Sequence, residues 1–255
     1  MQIQRSSTDQ PRLLLGICVM VTRPGDGLNP LAERLRALGA QVIVQPAIRI
    51  LPPDDWRPVD EALARLDEYD WLVFSSANGV RFLFDRLGSR AARFPKLAAM
   101  GPGTAEELAR CGRRADLLPE QFRAESLAEA LANGAAGKRF LLARASRGRE
   151  VLAERLTAAG AVVEQVIVYA STDVEQPTAE AAALLHAGKI DWITVTSSAI
   201  ARSLAKLFGD ELRRAKLASI SPITSGVLRE LGCEPAAEAT EYTLAGLTAA
   251  IVEHR

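Results

Sequence analysis

Apolar residues along this chain come in short unbroken runs, separated by longer stretches in which they recur every three or four positions. "ICVMVT" (17–22) is too short for a helix and is closed by Pro24 and Gly25, so it reads as a strand buried on both faces. "NPLAERLRALGA" (29–40) sets Leu31, Leu35 and Leu38 at helical spacing, with Asn29 as cap, Pro30 in the first turn and Gly39 as stop. "QVIVQPAI" (41–48) is the next strand. "DWLVFSS" (70–76) is another buried one, leading into a helix over "ANGVRFLFDRL" (77–87). "KLAAMGPGT" (96–104) and "KLASISPIT" (216–224) each read as a strand turning into a short helix that Gly112 or Gly232 closes. Continuous apolar strands alternating with helices predict a parallel sheet covered on both faces.

The same phrase occurs twice. "LAERLRALGAQV" (31–42) and "LAERLTAAGAVV" (152–163) lie 121 residues apart, and the match continues at that offset. Arg23 falls on Arg144, and Gly39-Ala40 on Gly160-Ala161. "DWLVFSSANGVRFLF" (70–84) falls on "DWITVTSSAIARSLA" (191–205), pairing Ser76 with Ser197. With one residue deleted, "GPGTAEELARCG" (101–112) falls on "SPITSGVLRELG" (221–232), pairing Thr104 with Thr224. The chain reads as an internal duplication. The predicted fold class is therefore α/β, in two doubly wound parallel-sheet domains of flavodoxin-like or Rossmann-like type. From the repeat alone, the cut between them falls near "ANGAAG" (132–137).

Charge and composition narrow the ligand. Thirty-one basic residues balance 31 acidic ones, so no net field draws the protein to nucleic acid or to an anionic membrane. Cys18, Cys111 and Cys233 form no CxxC pair, and His186 and His254 are the two histidines. That is too little for a disulfide framework or a zinc site, and it fits a reducing, cytoplasmic compartment. "LLLGICVMV" (13–21), after Arg5 and Arg12, has a signal-peptide look. It is too short to span a bilayer and no small-residue cleavage pattern follows. The polar segment before it, "MQIQRSSTDQPR", reads as frayed.

In open parallel sheets, ligands bind beyond the carboxyl ends of the strands, where helix N-termini present free N–H groups. Here those loops read "TRPGDG", "SSANG", "GPGT", "ARASRGR", "TSSA" and "SPIT". They are rich in hydroxyls and glycine, with a few arginines. The acidic residues of a receiver domain are missing, as are G-x-G-x-x-G, the Walker loop and the G-x-S-x-G elbow. Neutral donors of this kind suit a ligand with many carboxylates or phosphates. Ser76 and Ser197 are equally good helix caps, as are Thr104 and Thr224, and a cap does not exclude a ligand contact. The two Asp-Trp pairs (70–71 and 191–192) read as strand entries with indoles at a domain edge. His186 reads as a helix end and His254 as tail.

In order and spacing, "VTRP", "FSSANGV", "GPGTAEEL", "VIVYAST", "VTSSA" and "SPIT" with its following "ELG" resemble the uroporphyrinogen-III synthase family of bacteria, over essentially all of residues 13–253. The resemblance implies a lyase of tetrapyrrole synthesis. Such an enzyme closes hydroxymethylbilane, a linear octacarboxylate, with inversion of ring D and loss of water, and uses no cofactor and no metal. It implies Tyr169 as the acid that assists departure of hydroxide. It also implies substrate contacts at Thr104, Ser197 and Thr224; the repeat adds Ser76 as the partner of Ser197, and the loops themselves add Ser75, Ser198, Arg23 and Arg144 as candidates. Where this chain has Ser198 many relatives carry proline, and where it has Ser221 the family's usual residue is glycine.

The resemblance also implies that the chain crosses over twice, so the first domain takes residues 1–46 plus 173–255 and the second 50–166. The crossings at 47–49 and 167–172 would then form a two-strand hinge that lets the domains close on substrate. A monomer with a small-molecule substrate, without nucleic-acid or membrane partners, is the expected assembly. Two other readings stay open. One is a non-catalytic binder of a polyanionic metabolite. The other is a transferase on a phosphorylated sugar, for which Asp26 is the only obvious acid in these loops.

Overall fold

The computed structural model describes residues 12–25, 29–88 and 93–255. Arg5, most of the polar N-terminal segment and Asp26 lie outside the described residues. In chain order the elements begin β1 (Cys18–Val21), α1 (Pro30–Ala37), β2 (Gln41–Val44), β3 (Ile48–Leu51), α2 (Arg57–Ala64), β4 (Trp71–Phe74), α3 (Ala77–Leu87), β5 (Lys96–Ala99), α4 (Pro102–Arg110), α5 (Ala124–Ala132) and β6 (Arg139–Ala145). They continue with α6 (Val151–Ala158), β7 (Val162–Asp173), α7 (Ala179–His186), β8 (Trp192–Val195), α8 (Ser198–Phe208), β9 (Lys216–Ser219), α9 (Pro222–Glu230), β10 (Ala237–Glu238) and α10 (Leu244–Glu253).

The strands form two five-stranded sheets, in the orders β10-β9-β8-β1-β2 and β3-β7-β6-β4-β5. The pairings β1–β2, β1–β8, β8–β9 and β9–β10, and likewise β4–β5, β4–β6 and β6–β7, are all parallel. The fold is therefore α/β with two parallel-dominated sheets. The chain divides into two compact units, one made of residues up to Arg49 with Asp173–Arg255, the other of Ile50–Thr172. Its two passages between units fall within β3 and at the end of β7. The run at 132–137 is an ordinary connection from α5 to β6 inside the second unit.

Burial explains why the strands lack alternation. In the second unit Leu72 and Phe74 of β4 and Leu141 of β6 pack on one face with Val80, Leu83 and Leu108. Val73, Phe140 and Leu142 pack on the other face with Leu127, Leu131 and Leu156. Both faces are covered, so every position wants an apolar side chain. In the first unit β1 and β8 are buried at every residue, and Val19, Val21 and Trp192 share a core with Leu31, Leu35, Leu247 and Ile251.

Local chemistry sets the helix ends. The Asn29 side chain accepts from the amides of Leu31 and Ala32, and Gly39 takes φ +92° just past the end of α1, in the left-handed region where glycine is unstrained. His186 closes α7 and His254 follows α10, both away from the strand ends that carry ligand chemistry. No helix among the described residues is long and apolar enough to cross a membrane.

The repeated Asp-Trp pairs stand at the amino edges of the sheets. Asp70 accepts from the Arg139 amide at 2.9 Å, and Asp191 accepts from the Cys18 amide at 2.7 Å. Each carboxylate therefore ties its own strand to the first residue of the neighbouring one. The indoles differ from the edge position expected for both. Trp71 is half-buried and stacks on Phe140, whereas Trp192 is 1 % exposed in the core. Trp192→Ala is expected to destabilise the first unit by roughly 3–5 kcal/mol, and Trp71→Ala by clearly less. Urea unfolding followed by circular dichroism measures the difference.

Candidate active site

Because the strands are parallel, the loops beyond their carboxyl ends collect on one edge of each sheet. In the second unit that edge brings together Gly101–Thr104 after β5, Ser75 and Ser76 after β4, the end of β6, and Tyr169 of β7. In the first unit it brings together Ser221–Thr224 after β9, Thr196–Ser198 after β8, and Thr22 and Arg23 after β1.

Tyr169 is held by an irregularity in its own strand. β7 pairs with β6 from Arg139↔Val162 through Arg144↔Ile167, and then the register shifts so that Ala145 pairs with Tyr169. A strand alternates its faces, so adjacent residues normally point apart. Here Val166, Val168 and Tyr169 all join one core cluster, because the shift brings Tyr169 round to the Val168 face. The Tyr169 carbonyl still accepts from the Ser146 amide at 2.9 Å. The ring stacks on Phe82 at 5.8 Å between centroids, and the hydroxyl lies 3.1 Å from Ser76 Oγ.

Ser76 caps α3, and its Oγ accepts from the Gly79 amide at 3.1 Å. A Cβ at residue 79 would lie 3.3 Å from the Ala143 carbonyl oxygen of β6. Glycine there lets the first turn of α3 approach the sheet closely enough for its cap to reach the phenol. With the Gly79 amide on one lone pair, Ser76 can still give its own proton to Tyr169 Oη. In that arrangement the phenol proton points at neither protein group and is free for a ligand. Burial raises the Tyr169 pKa above the ordinary tyrosine value, and the Ser76 bond works in the opposite direction. The phenol is protonated at neutral pH.

The remaining candidates divide. Ser197 caps α8, accepting from the Ile200 amide at 3.2 Å, and Ser198 is the first helical residue; both are half-buried. Ser75 is exposed beside Ser76. Thr104 and Thr224 are not caps. Their helices begin two residues earlier, at Pro102 and Pro222, behind Gly101 and Ser221. Both threonines are buried, at 6 % and 2 % exposure, and Thr224 Oγ1 lies 3.2 Å from Ser221 Oγ. They shape the first turn from beneath rather than presenting hydroxyls to solvent. Ser221 supplies a side-chain cap that Gly101 lacks.

The two arginines also differ. Arg144 donates to Glu150 and, at 2.7 Å, to Gln165 Oε1, and it reaches the Ala145 carbonyl at 3.3 Å. Arg23 is half-buried after β1 and has no ion pair or side-chain hydrogen bond among the described residues. Burial lowers its pKa, with no counter-charge acting the other way. Sequence reasoning missed Gly79, Phe82, Glu150 and Gln165. Gly79 had a signal, since "SSANG" has glycine where the offset copy has Ile200; the rest act through sheet geometry. Among the described residues, no group of three or more His, Cys, Asp or Glu side chains is placed to hold a metal ion.

The family model described as "Uroporphyrinogen-III synthase HemD" matches residues 29–249. The chain belongs to the uroporphyrinogen-III synthase family. It is 36% identical over 256 aligned positions to the uroporphyrinogen-III synthase of Synechococcus elongatus, covering 95% of this chain and 96% of the relative. With the synthase of Escherichia coli it shares 29% identity over 224 positions, 84% of this chain and 91% of that one. Among solved structures, uroporphyrinogen-III synthetase from Helicobacter pylori superposes with a TM-score of 0.63 at 16% identity, over 94% of this chain and 100% of its own. A mutant uroporphyrinogen III synthase from Thermus thermophilus gives 0.60 at 16% identity, over 93% and 98%. These two likenesses show the family's fold.

Two outcomes follow from this geometry. Ser76→Ala removes the bond that favours the phenolate, so the Tyr169 phenol is expected to titrate at higher pH. Ultraviolet phenolate absorbance, differenced against Tyr169→Phe, reads that shift. Thr224→Ala is expected to lower stability by about 1 kcal/mol through loss of the Ser221 contact, as read from the urea midpoint.

Proposed function

We propose that this chain is a cytoplasmic, monomeric lyase that converts hydroxymethylbilane to uroporphyrinogen III without a cofactor. We also propose that its two units are copies of one duplicated unit whose two crossings, in β3 and at the end of β7, serve as a hinge. The observation that carries the catalytic reading is the Ser76–Tyr169 pair: a protonated phenol at the carboxyl edge of a parallel sheet, 3.1 Å from a serine hydroxyl that can donate to it.

Tyr169 donates its proton to the terminal hydroxyl of the bilane. The carbon–oxygen bond breaks, water leaves, and the pyrrole nitrogen lone pair fills in to form an azafulvenium cation. The substituted carbon of ring D attacks that electrophile, and the spiro intermediate fragments and recloses with ring D inverted. The proton that ring closure finally expels from the ring D α-carbon returns to the Tyr169 phenolate. The phenolate left on Tyr169 is stabilised by the Ser76 hydroxyl and by the N-terminus of α3, whose dipole favours negative charge. The reacting carbons all belong to the substrate, so the remaining task is positioning. Helix starts capped by Ser76, Ser197 and Ser221 can bind carboxylates through backbone amides and hydroxyls without net positive charge.

The relatives are named as synthases over nearly their whole length, and a non-catalytic polyanion binder gains no support from them. Tyr169→Phe is expected to lower kcat by roughly 10²–10⁴, the usual contribution of a general acid, with little change in KM and an intact fold. The assay generates hydroxymethylbilane in place, oxidises the products and separates porphyrin isomers. Wild type yields type III, and the variant drifts towards the type I product of unassisted closure. Equal loss of stability and activity would assign Tyr169 to packing, and type I product alone from wild type would overturn the synthase reading.

A further inference from the structure

The two arginines at the ends of β1 and β6 occupy positions 121 residues apart, in sheets whose orders β2-β1-β8-β9 and β7-β6-β4-β5 correspond, yet their surroundings differ. Around Arg144 the neutralising groups are Glu150, at the N-cap of α6, and Gln165, the fourth residue of β7. Gln165 also donates to Glu150 at 3.0 Å, which completes the triangle. At the same offset from Arg23 stand Asn29, at the N-cap of α1, and Val44, the fourth residue of β2. Val44 has no hydrogen-bonding side chain. Asn29 turns its oxygen to the α1 amides and its nitrogen to the Arg23 carbonyl at 3.2 Å, which leaves the guanidinium itself unpaired. The first unit thus keeps the cation and lacks both of the groups that neutralise it in the second.

A guanidinium drawn partly out of water without an anion is unfavourable unless something else meets it. Folding of the first unit does not supply that anion among the described residues. Arg23 also shares its sheet edge with the caps of α8 and α9, which offer amides and hydroxyls but no counter-charge for it. We propose that Arg23 is the charged anchor of the substrate site, pairing with one carboxylate of the polyanionic substrate, and that Arg144 is a brace for its own loop. The assignment rests on the proposed reading of a polycarboxylate substrate and narrows it to one cation on one unit. A planar guanidinium can hold a carboxylate through two parallel N–H bonds, which fixes the direction of that arm as well as its presence.

The test restores the missing counter-charge. Asn29→Glu places in the first unit the acid that Glu150 provides in the second, so Arg23 remains but is neutralised from within. Calorimetric titration with uroporphyrinogen III under nitrogen measures Kd for wild type, Arg23→Ala, Asn29→Glu and the double variant, with urea midpoints as the folding control. Arg23→Ala is expected to weaken binding about tenfold, the scale of one charge-assisted contact. Asn29→Glu should weaken it similarly, and the two losses should not add in the double variant, because the new carboxylate pairs with Arg23 in one background and stands unpaired in the other. Arg144→Ala should lower the urea midpoint while moving Kd less than Arg23→Ala does.

Two results would overturn the proposal: Kd within twofold of wild type for Arg23→Ala, or fully additive losses in the double variant. Arg23→Lys separates charge from shape, since recovery of only part of the affinity is expected from a point charge without the fork. The titration needs no turnover. A protein that binds through Arg23 yet forms only type I product would keep the anchor and remove the synthase reading. Normal type III formation with an unaltered Arg23→Ala Kd would do the reverse.

Discussion

A parallel sheet covered on both faces leaves little room for chemistry in its middle. Every residue of β1 and β8, and all but the first of β4, is buried, and the strands must be apolar for that reason. Reactive or polar groups are pushed to the strand ends. The carboxyl end is favoured because the following helices begin there, with amides that have no partner inside the helix. Ser76, Ser197 and Ser221 each satisfy one such amide with a side-chain oxygen. Others remain in the first turns, so the edge stays a donor-rich surface even when it is well capped.

The two halves share that architecture and use it differently. Tyr169 has Ile48 at its offset position, and Gly79 has Ile200; without the phenol and without the close approach at Gly79, the first unit cannot repeat the Ser76–Tyr169 contact. Conversely Glu150 and Gln165 have Asn29 and Val44 opposite them, and the second unit's arginine is tied down while the first unit's is not. The second unit thus holds a buried phenol beside a helix cap, and the first holds an arginine with no side-chain partner among the described residues.

Much of this was readable from residue order. The helix over 77–87 and the caps at Asn29, Ser76 and Ser197 follow from spacing and from local side-chain chemistry. What could not be read depends on partners far along the chain. The register shift that turns Tyr169 to the Val168 face arises between β6 and β7, and nothing in "VIVYAST" alone marks it. Arg144 resembles Arg23 in sequence, and the groups that occupy it are Glu150 and Gln165, the latter 21 residues on. Thr104 and Thr224 looked like caps because hydroxyls precede helical runs, but proline fits the first helical position and draws the start back by two residues. Trp192 and Trp71 share a motif and differ in burial because packing around each was decided elsewhere.

As the proposed acid, Tyr169 would face two opposing demands. It would have to keep its proton until substrate arrives, and burial acts in that direction by raising its pKa. An acid whose pKa is raised by burial alone is also a poorer donor, since the anion it leaves is equally unwelcome in that pocket. Ser76 and the start of α3 address the second demand, because the hydroxyl and the helix dipole both favour negative charge on the phenol oxygen. Neither is a full charge, so neither ionises the phenol beforehand. A lysine or arginine in the same place would have met the second demand by defeating the first. In the proposed mechanism, weak neutral support at short range is what would let one tyrosine hold a proton and still release it.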